Sequence, residues 1–206
     1  MRADSLWADS VWDVNENHQT LCASPEWAEH LQVDVLAPLL AGVDLGGRMV
    51  EVGPGPGAAT QWLRSRVEHL VAVEAEQRAA ETLAERYAAT NVEVLHGDAT
   101  ALRLEDGAFD SAGSFTMLHH VPTVEQQRRL LAEMTRVLRP GGVLVGSDSL
   151  ATDDRRAFHE GDTYNPVEPA VLLTWLWDLG YRRITVDVGE DALSFVAYRP
   201  GAEGEK

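Results

Sequence analysis

Short apolar runs alternate with amphipathic segments along the chain from Arg48 onward. The runs of strand length are Met49–Val52, Leu70–Val73, Val92–Leu95, Phe109–Phe115 and Val143–Gly146. Segments with the apolar spacing of a helix lie between them, at Ala58–Val67, Glu76–Ala89 and Val124–Leu138. Because strand and helix alternate in this way, the pattern predicts a mostly parallel sheet that is covered by helices on both faces.

The two ends of the chain depart from this alternation. Residues 1–30 are polar and aromatic, whereas residues 31–45 place apolar side chains on one helical face. Near the other end, the predicted elements are a helix at Pro169–Leu179 and a hairpin of Ile184–Val188 and Leu193–Tyr198. The predicted fold is therefore a Rossmann-like, doubly wound α/β structure. Its seven-stranded, mostly parallel sheet ends in an antiparallel hairpin and carries an N-terminal helical cap.

Length and charge narrow the class of protein. A chain of 206 residues suits one domain, and we expect a cap at 1–43, a domain at 44–200 and a disordered tail at 201–206. The net charge of −16 repels phosphate backbones and anionic lipid, so neither nucleic acid nor a membrane is an expected partner.

The apolar stretch at 33–43 is too short to span a bilayer. The single cysteine, Cys22, forms no internal disulfide, and a cytoplasmic protein is expected.

A glycine-rich turn follows the first predicted strand. Gly53, Gly55 and Ala58 match the G-x-G-x-x-A pattern of a dinucleotide site, where glycines let the backbone approach a ligand closely. Pro54 and Pro56 remove two N–H donors, which makes the turn poor at holding a phosphate. The only lysine is the last residue, which excludes an internal P-loop lysine or Schiff-base lysine.

Acidic residues end the next two predicted strands. Glu74 closes the second strand, where its carboxylate can accept hydrogen bonds from both hydroxyls of a ribose. Gly97-Asp98-Ala99 closes the third strand. Glu74 predicts a nucleoside site at the carboxyl edge of the sheet, and a nicotinamide dinucleotide remains an alternative ligand.

Together these motifs resemble those of the class I S-adenosylmethionine-dependent methyltransferases. The resemblance covers Asp44 to Asp148, and it includes Leu138–Gly142 before the fifth strand and the Leu-His-His-Val run at 118–121, which is similar to that of quinone-biosynthesis methyltransferases. It implies S-adenosylmethionine as cofactor, with Glu51 near the methionine end and Asp98 at the adenine amino group. The residues implied in cofactor binding are Glu51, Gly53, Gly55, Gly57, Glu74, Ala75, Asp98, Ala99 and Phe115. The Asn/Asp-Pro-Pro-aromatic tetrad of amino-methylating nucleic-acid enzymes is absent, which favours a small-molecule acceptor.

Methyl transfer to a hydroxyl needs a base, and histidine titrates near neutrality. The candidate catalytic residues are His18, His119, His120 and His159. No metal is expected, since His159 and Asp162 lack a second convincing pair of ligands.

Residues 1–30 and 149–168 are expected to roof the acceptor. Two other functions stay open, namely a nicotinamide-dependent oxidoreductase and a non-catalytic S-adenosylmethionine-binding regulatory protein.

Overall fold

A computed structural model describes residues 15–201 and contains one seven-stranded sheet. The strands are β1 (Arg48–Val52), β2 (His69–Glu74), β3 (Val92–His96), β4 (Phe109–Phe115), β5 (Leu138–Ser149), β6 (Arg182–Val188) and β7 (Ala192–Tyr198). Their spatial order is β3-β2-β1-β4-β5-β7-β6. Only β7 runs antiparallel to its neighbours β5 and β6. This confirms the predicted mostly parallel sheet with an antiparallel hairpin.

Helices cover both faces of the sheet. They are α1 (Glu16–Cys22), α2 (Pro25–His30), α3 (Ala37–Leu39), α4 (Ala58–Leu63), α5 (Gln77–Arg86), α6 (Val124–Val137), α7 (Asp153–Phe158) and α8 (Pro169–Asp178). On one face, α6 and α8 bury leucines such as Leu130 and Leu172 against the sheet. On the other face, α4 and the N-terminal helices bury Leu63 and Leu36. Apolar burial on both faces explains the consecutive apolar residues of the central strands, such as Leu70–Val73 in β2.

Two local predictions were wrong. The helix predicted over 31–45 instead continues α2 through a π-helical segment at Leu31–Leu36 into α3, and Gly42 follows with φ of 76°. The Pro140–Gly142 segment was expected to be a turn between helix and strand. It lies inside β5 as an irregularity, because the register with β4 shifts between Phe109 and Ser111.

The parallel strands β1 to β5 all end at the same edge of the sheet. The segments that leave this edge carry the glycine turn, Glu74, Asp98 and the paired histidines. Open α/β sheets bind ligands at that edge. The fold therefore gathers the motifs that are separated along the chain.

Candidate active site

The turn after β1 needs glycine at two positions. Gly53 has φ of 65° and Gly55 has φ of 52°, both in the left-handed region that favours glycine. The Gly53 N–H donates to the Val73 carbonyl at 2.9 Å and ties the turn to β2. A Cβ on Gly53 would overlap Cγ of Met117, whereas a Cβ on Gly55 would meet no atom within 4 Å. The turn is therefore closed under Met117 and open beside Gly55.

Two carboxylates flank this turn. Glu51 is 1% exposed, and its Oε2 accepts a hydrogen bond from the Thr60 hydroxyl at 2.7 Å. Oε2 of Glu74 accepts from the Gly55 N–H at 3.0 Å. Burial raises the pKa of Glu51 to about 7; the charge of Glu74 adds to the rise and the bond from Thr60 opposes it. Below this pH Glu51 is mostly protonated unless a cation binds nearby.

The remaining expected cofactor residues fall into two groups. Asp98 stays beside the end of β2, because the Gly97 N–H donates to the Glu74 carbonyl at 2.9 Å, and its carboxylate accepts from the N–H and hydroxyl of Thr100. Ala75 follows Glu74 at the same edge. Gly57, Ala99 and Phe115 are buried, and a Cβ on Gly57 would lie 2.7 Å from Leu83. A cofactor contact from these three would come from backbone atoms.

This part of the edge fits S-adenosylmethionine. Glu74 keeps free lone pairs for ribose hydroxyls beyond the bonds from the Gly55 and Glu76 N–H groups, because a carboxylate offers about four acceptor positions. Glu51 and Glu74 together favour a cationic ligand. Pro54 and Pro56 offer no N–H, so the turn lacks donors that a pyrophosphate would need.

A cavity of about 650 Å³ lies at the carboxyl ends of β4 and β5. Its apolar wall includes Leu21, Trp27, Leu39, Phe158, Val188 and Leu193, and its polar wall includes His18, His119, Asp148 and His159. None of the expected cofactor residues lines it, so the cavity and the glycine turn are separate parts of one edge. The cavity is sized and lined for a mostly apolar small molecule.

The two segments expected to roof the acceptor meet over this cavity. Residues 15–30 contribute His18 and Trp27 to its lining, and the segment after β5 contributes Phe158 and His159. The Asn15 side-chain amide donates to the Phe158 carbonyl at 3.0 Å and joins the segments. Trp7 and Trp12, which belong to the same expectation, lie outside the described residues, as does the expected disordered tail beyond residue 201.

His119 forms a buried pair with Asp148 at the cavity wall. His119 lies in the 3₁₀-helical turn after β4, and Asp148 lies at the end of β5. Within residues 15–201, His119 Nε2 and Asp148 Oδ2 have no hydrogen-bond partner. Thr116, which precedes this turn, has φ of 52°, an uncommon conformation for a residue with a β-branched side chain. The backbone thus places in the cavity wall a histidine whose Nε2 is buried and has no partner among the described residues.

The other three candidate histidines lie in one cluster. His18, His120 and His159 are buried, and one ring nitrogen of each lies within 4.8 Å of those of the other two. Nδ1 of His18 lies 3.0 Å from Asp162 Oδ2. The structure therefore brings together all four histidines that the sequence singled out, His119 included, since its ring lies 4.1 Å from that of His120.

Burial disfavours the protonated form of His18, His120 and His159. It lowers the pKa of His18, although the neighbouring Asp162 opposes the shift. It lowers the pKa of His120 to about 2, with added repulsion from the adjacent histidines, and it also lowers the pKa of His159. Neutral rings accept a proton or a metal ion through one nitrogen.

Sequence reasoning missed the acidic partners of these histidines. Asp148 lay at the end of a predicted strand on the ligand-binding edge, a position that could have drawn attention to it. Asp162 was noted beside His159, but its partner is His18, which is 144 residues away in the chain. No local pattern links Asp162 to His18.

Comparison with known proteins agrees with this geometry. Residues 50–146 match the family model of a methyltransferase domain. The demethylmenaquinone methyltransferase of Clavibacter sepedonicus is 33% identical over 101 residues, which are 48% of this chain and 40% of that protein. The phthiotriol/phenolphthiotriol dimycocerosates methyltransferase of Mycobacterium tuberculosis is 31% identical over 150 residues, 71% of this chain and 51% of that protein. The chain thus spans about half or less of the length of these curated relatives.

A solved structure extends the likeness to most of the chain. The N-methyltransferase NodS of Bradyrhizobium japonicum, in complex with S-adenosyl-L-homocysteine, superposes with a TM-score of 0.67 at 20% identity. The match covers 90% of this chain and 93% of NodS. The fold and its glycine turn define a nucleoside-binding α/β domain of the methyltransferase type. Residues 50–146 thus form a methyltransferase domain, which agrees with the motif resemblance to the class I S-adenosylmethionine-dependent methyltransferases.

No helix in the part of the chain from 15 to 201 has the length and apolar character that a bilayer crossing requires.

Proposed function

We propose that the protein transfers a methyl group from S-adenosylmethionine to a small molecule held in the cavity. The observation that carries this proposal is the buried pair of His119 and Asp148 at the cavity wall, on the same sheet edge as the glycine turn. One part of the edge suits a cationic nucleoside and the other suits an apolar acceptor. The pair supplies a base at the wall of the acceptor space.

The residues of the chain have separable tasks in this proposal. Glu74 and Asp98 accept hydrogen bonds from the nucleoside, and Glu51 favours the positive charge near the turn. When bound, S-adenosylmethionine supplies a methyl group on a sulfonium that an oxygen, nitrogen or carbon atom attacks in line. His119 Nε2 takes the proton of the acceptor, and Asp148 stabilises the imidazolium that results. The roof excludes water and holds the acceptor in line.

The cavity lining favours an acceptor with an apolar or aromatic frame. Trp27 and Phe158 offer aromatic surface, and Leu21, Leu39 and Leu193 offer aliphatic surface. The names of two relatives, a demethylmenaquinone methyltransferase and a phthiotriol/phenolphthiotriol dimycocerosates methyltransferase, are compatible with this class. The net charge of −16 argues against nucleic acid as acceptor.

We also propose a division of the chain into a cap at 1–43 and a methyltransferase domain at 44–200. The cap would supply His18 and Trp27 to acceptor binding, whereas the domain would hold the cofactor. A cytoplasmic location is proposed as well, since a chain with one cysteine needs no oxidising compartment for an internal disulfide.

Methyl-labelled S-adenosylmethionine tests the function directly. The protein is incubated with a panel of apolar and aromatic molecules that carry hydroxyl, amine or activated carbon groups, and labelled product is measured. We expect transfer to at least one class, and we expect His119→Gln to reduce turnover without a change in cofactor affinity. Tight cofactor binding with no transfer to any acceptor would favour a regulatory protein. Calorimetry that shows tighter binding of a nicotinamide dinucleotide would favour the oxidoreductase instead.

A further inference from the structure

Three histidines from three distant segments converge beside the acceptor cavity. His18 comes from α1, His120 from the turn after β4, and His159 from the residue that follows α7. Their rings lie 4.8 to 5.4 Å apart, centroid to centroid. Methyl transfer as proposed above uses His119 and leaves these three without a task.

Hydrogen bonds at Nδ1 orient the rings. Nδ1 of His120 lies 3.1 Å from the Thr163 carbonyl, and Nδ1 of His159 lies 2.6 Å from the Arg155 carbonyl. A carbonyl only accepts, so Nδ1 carries the hydrogen in both rings, and Nε2 of a neutral ring then holds a lone pair. In proteins, histidines that bind metals are commonly fixed through the other ring nitrogen in this way.

The third ring has a carboxylate behind it. Nδ1 of His18 lies 3.0 Å from Asp162 Oδ2, and the Asp162 side chain is 1% exposed. Asp162 is held in turn, because its Oδ1 accepts a hydrogen bond from the Asn15 N–H. A buried carboxylate that holds the far nitrogen of a histidine is the usual arrangement around zinc-bound histidines.

One ring nitrogen in the cluster points to a missing partner. His159 Nε2 is buried and has no hydrogen-bond partner anywhere in the described ranges. An unpaired buried acceptor is costly, whereas apolar aromatic side chains would pack in the same space without that cost. Ring packing alone therefore leaves the nitrogen of His159 unexplained.

We propose that His18, His120 and His159 bind a divalent first-row transition ion of the Zn²⁺ type. Three imidazole nitrogens suit such ions. The ligand atoms lie within 4.8 Å of one another, and side-chain rotation would bring them to the roughly 3.3 Å spacing around a tetrahedral ion with bonds of about 2.0–2.1 Å.

The site has three protein ligands and a place for one more. His18 and His159 line the cavity, so the fourth position of the ion is reachable from the acceptor space. Three ligands with an open position are typical of catalytic rather than structural zinc. The ion would also join α1 to the segment after β5, because His18 and His159 belong to the two parts of the roof.

Metal titration of the whole chain tests this site. The protein is stripped with a chelator, checked for retained secondary structure, and titrated with Zn²⁺ by calorimetry and with Co²⁺ by visible absorption. We expect one ion per chain and the absorption of four-coordinate Co²⁺. His18→Gln, His120→Gln and His159→Gln should each weaken Zn²⁺ binding by roughly a hundredfold or more, and Asp162→Asn by about 10- to 100-fold. His69→Gln, on the opposite part of the sheet beside Glu93, is the matched control and should bind like the wild type.

Two results would overturn the proposal. One is the lack of stoichiometric Zn²⁺ binding by a folded, stripped protein. The other is binding that persists unchanged in all three histidine variants, which would place the ion elsewhere. A variant that loses its fold is replaced by Asp162→Asn, which leaves all three ligands in place. Metal affinity is measured without cofactor or acceptor. The result therefore tests the metal site even if the protein transfers no methyl group.

Discussion

Nδ1 of His119 lies 2.5 Å from Oδ1 of Asp148, and both side chains are only 3% exposed. The carboxylate fixes the orientation of a ring in the cavity wall, and the buried Nε2 has no hydrogen-bond partner within residues 15–201. β5 ends beside β4, which is why a residue from each strand can meet at this edge. A base positioned in this way depends on the Asp148 carboxylate, which orients the ring of His119 and stabilises its positive charge after protonation.

Asp148→Asn should lower kcat by about 100-fold or more while KM and cofactor affinity stay near the wild-type values. The amide keeps the shape of the side chain but cannot stabilise an imidazolium as a carboxylate does. Steady-state kinetics with an identified acceptor measure the effect. The double variant with His119→Gln should be little worse than either single variant, because the two residues act as a unit. Additive losses would mean that Asp148 acts independently of His119.

Glu74→Ala should weaken S-adenosylmethionine binding by about 1.5–3 kcal/mol, the scale of a hydrogen bond to a charged group. The carboxylate accepts from the Gly55 and Glu76 N–H groups, so its loss also loosens the glycine turn. Calorimetry gives the affinity. Glu93→Ala, on the neighbouring edge strand, is the control and should bind the cofactor normally. An unchanged affinity in Glu74→Ala would place the ribose elsewhere.

Glu51 should make the stability of the cofactor-free protein depend on pH. Its pKa is raised from 4.5 to about 7 in the fold, so its contribution is fully present below the unfolded pKa and is lost as pH rises through about 7. Glu51→Gln removes this loss. Relative to the wild type, the variant should gain roughly 2 kcal/mol in free energy of unfolding between pH 5.5 and pH 8.

Urea unfolding of both proteins at the two pH values measures that difference. Thr60→Val, which removes the hydrogen bond to Glu51, should steepen the loss of stability with pH. Parallel pH profiles for the wild type and Glu51→Gln would show that Glu51 does not titrate in this range.

Gly53→Ala should cost more stability than Gly42→Ala. Both positions have positive φ and share the strain of a left-handed alanine, about 1–2 kcal/mol. Gly53 also lies under Met117, whereas a Cβ on Gly42 would meet nothing within 4 Å, so overpacking adds about 1–3 kcal/mol at Gly53 alone. Met117→Ala in the Gly53→Ala background should restore part of the difference. Equal losses of stability in Gly53→Ala and Gly42→Ala would show that Met117 does not crowd a Cβ at position 53.

A truncation that begins at Leu31 should bind the cofactor and lose methyl transfer. It removes His18 and Trp27 from the cavity but keeps Leu31 and Leu36, which are buried in the core. Cofactor calorimetry and turnover with an identified acceptor separate the two activities. Full turnover by the truncated chain would show that residues 1–30 are not part of the acceptor site.

Most of the fold was predictable because its signals are local. The apolar runs predicted β1 to β4 within one or two residues of their ends, since short apolar runs between helices are typical of parallel strands. α7 was missed because Asp153–Phe158 buries no side chain and so has no apolar stripe. The π-helical stretch at Leu31–Leu36 has no signature distinct from that of an α-helix.

The sequence by itself determined the sheet, the glycine turn and the chemistry available at the ends of the strands. Each of these depends on residues that are close together in the chain, where backbone preference and apolar spacing decide the outcome. Only the tertiary structure decided which acid faces which histidine, as in the contact of His18 with Asp162 across 144 residues. That contact depends on how α1 and the segment after β5 pack over the sheet edge. Packing between distant segments is set by the whole core, and no local pattern encodes it.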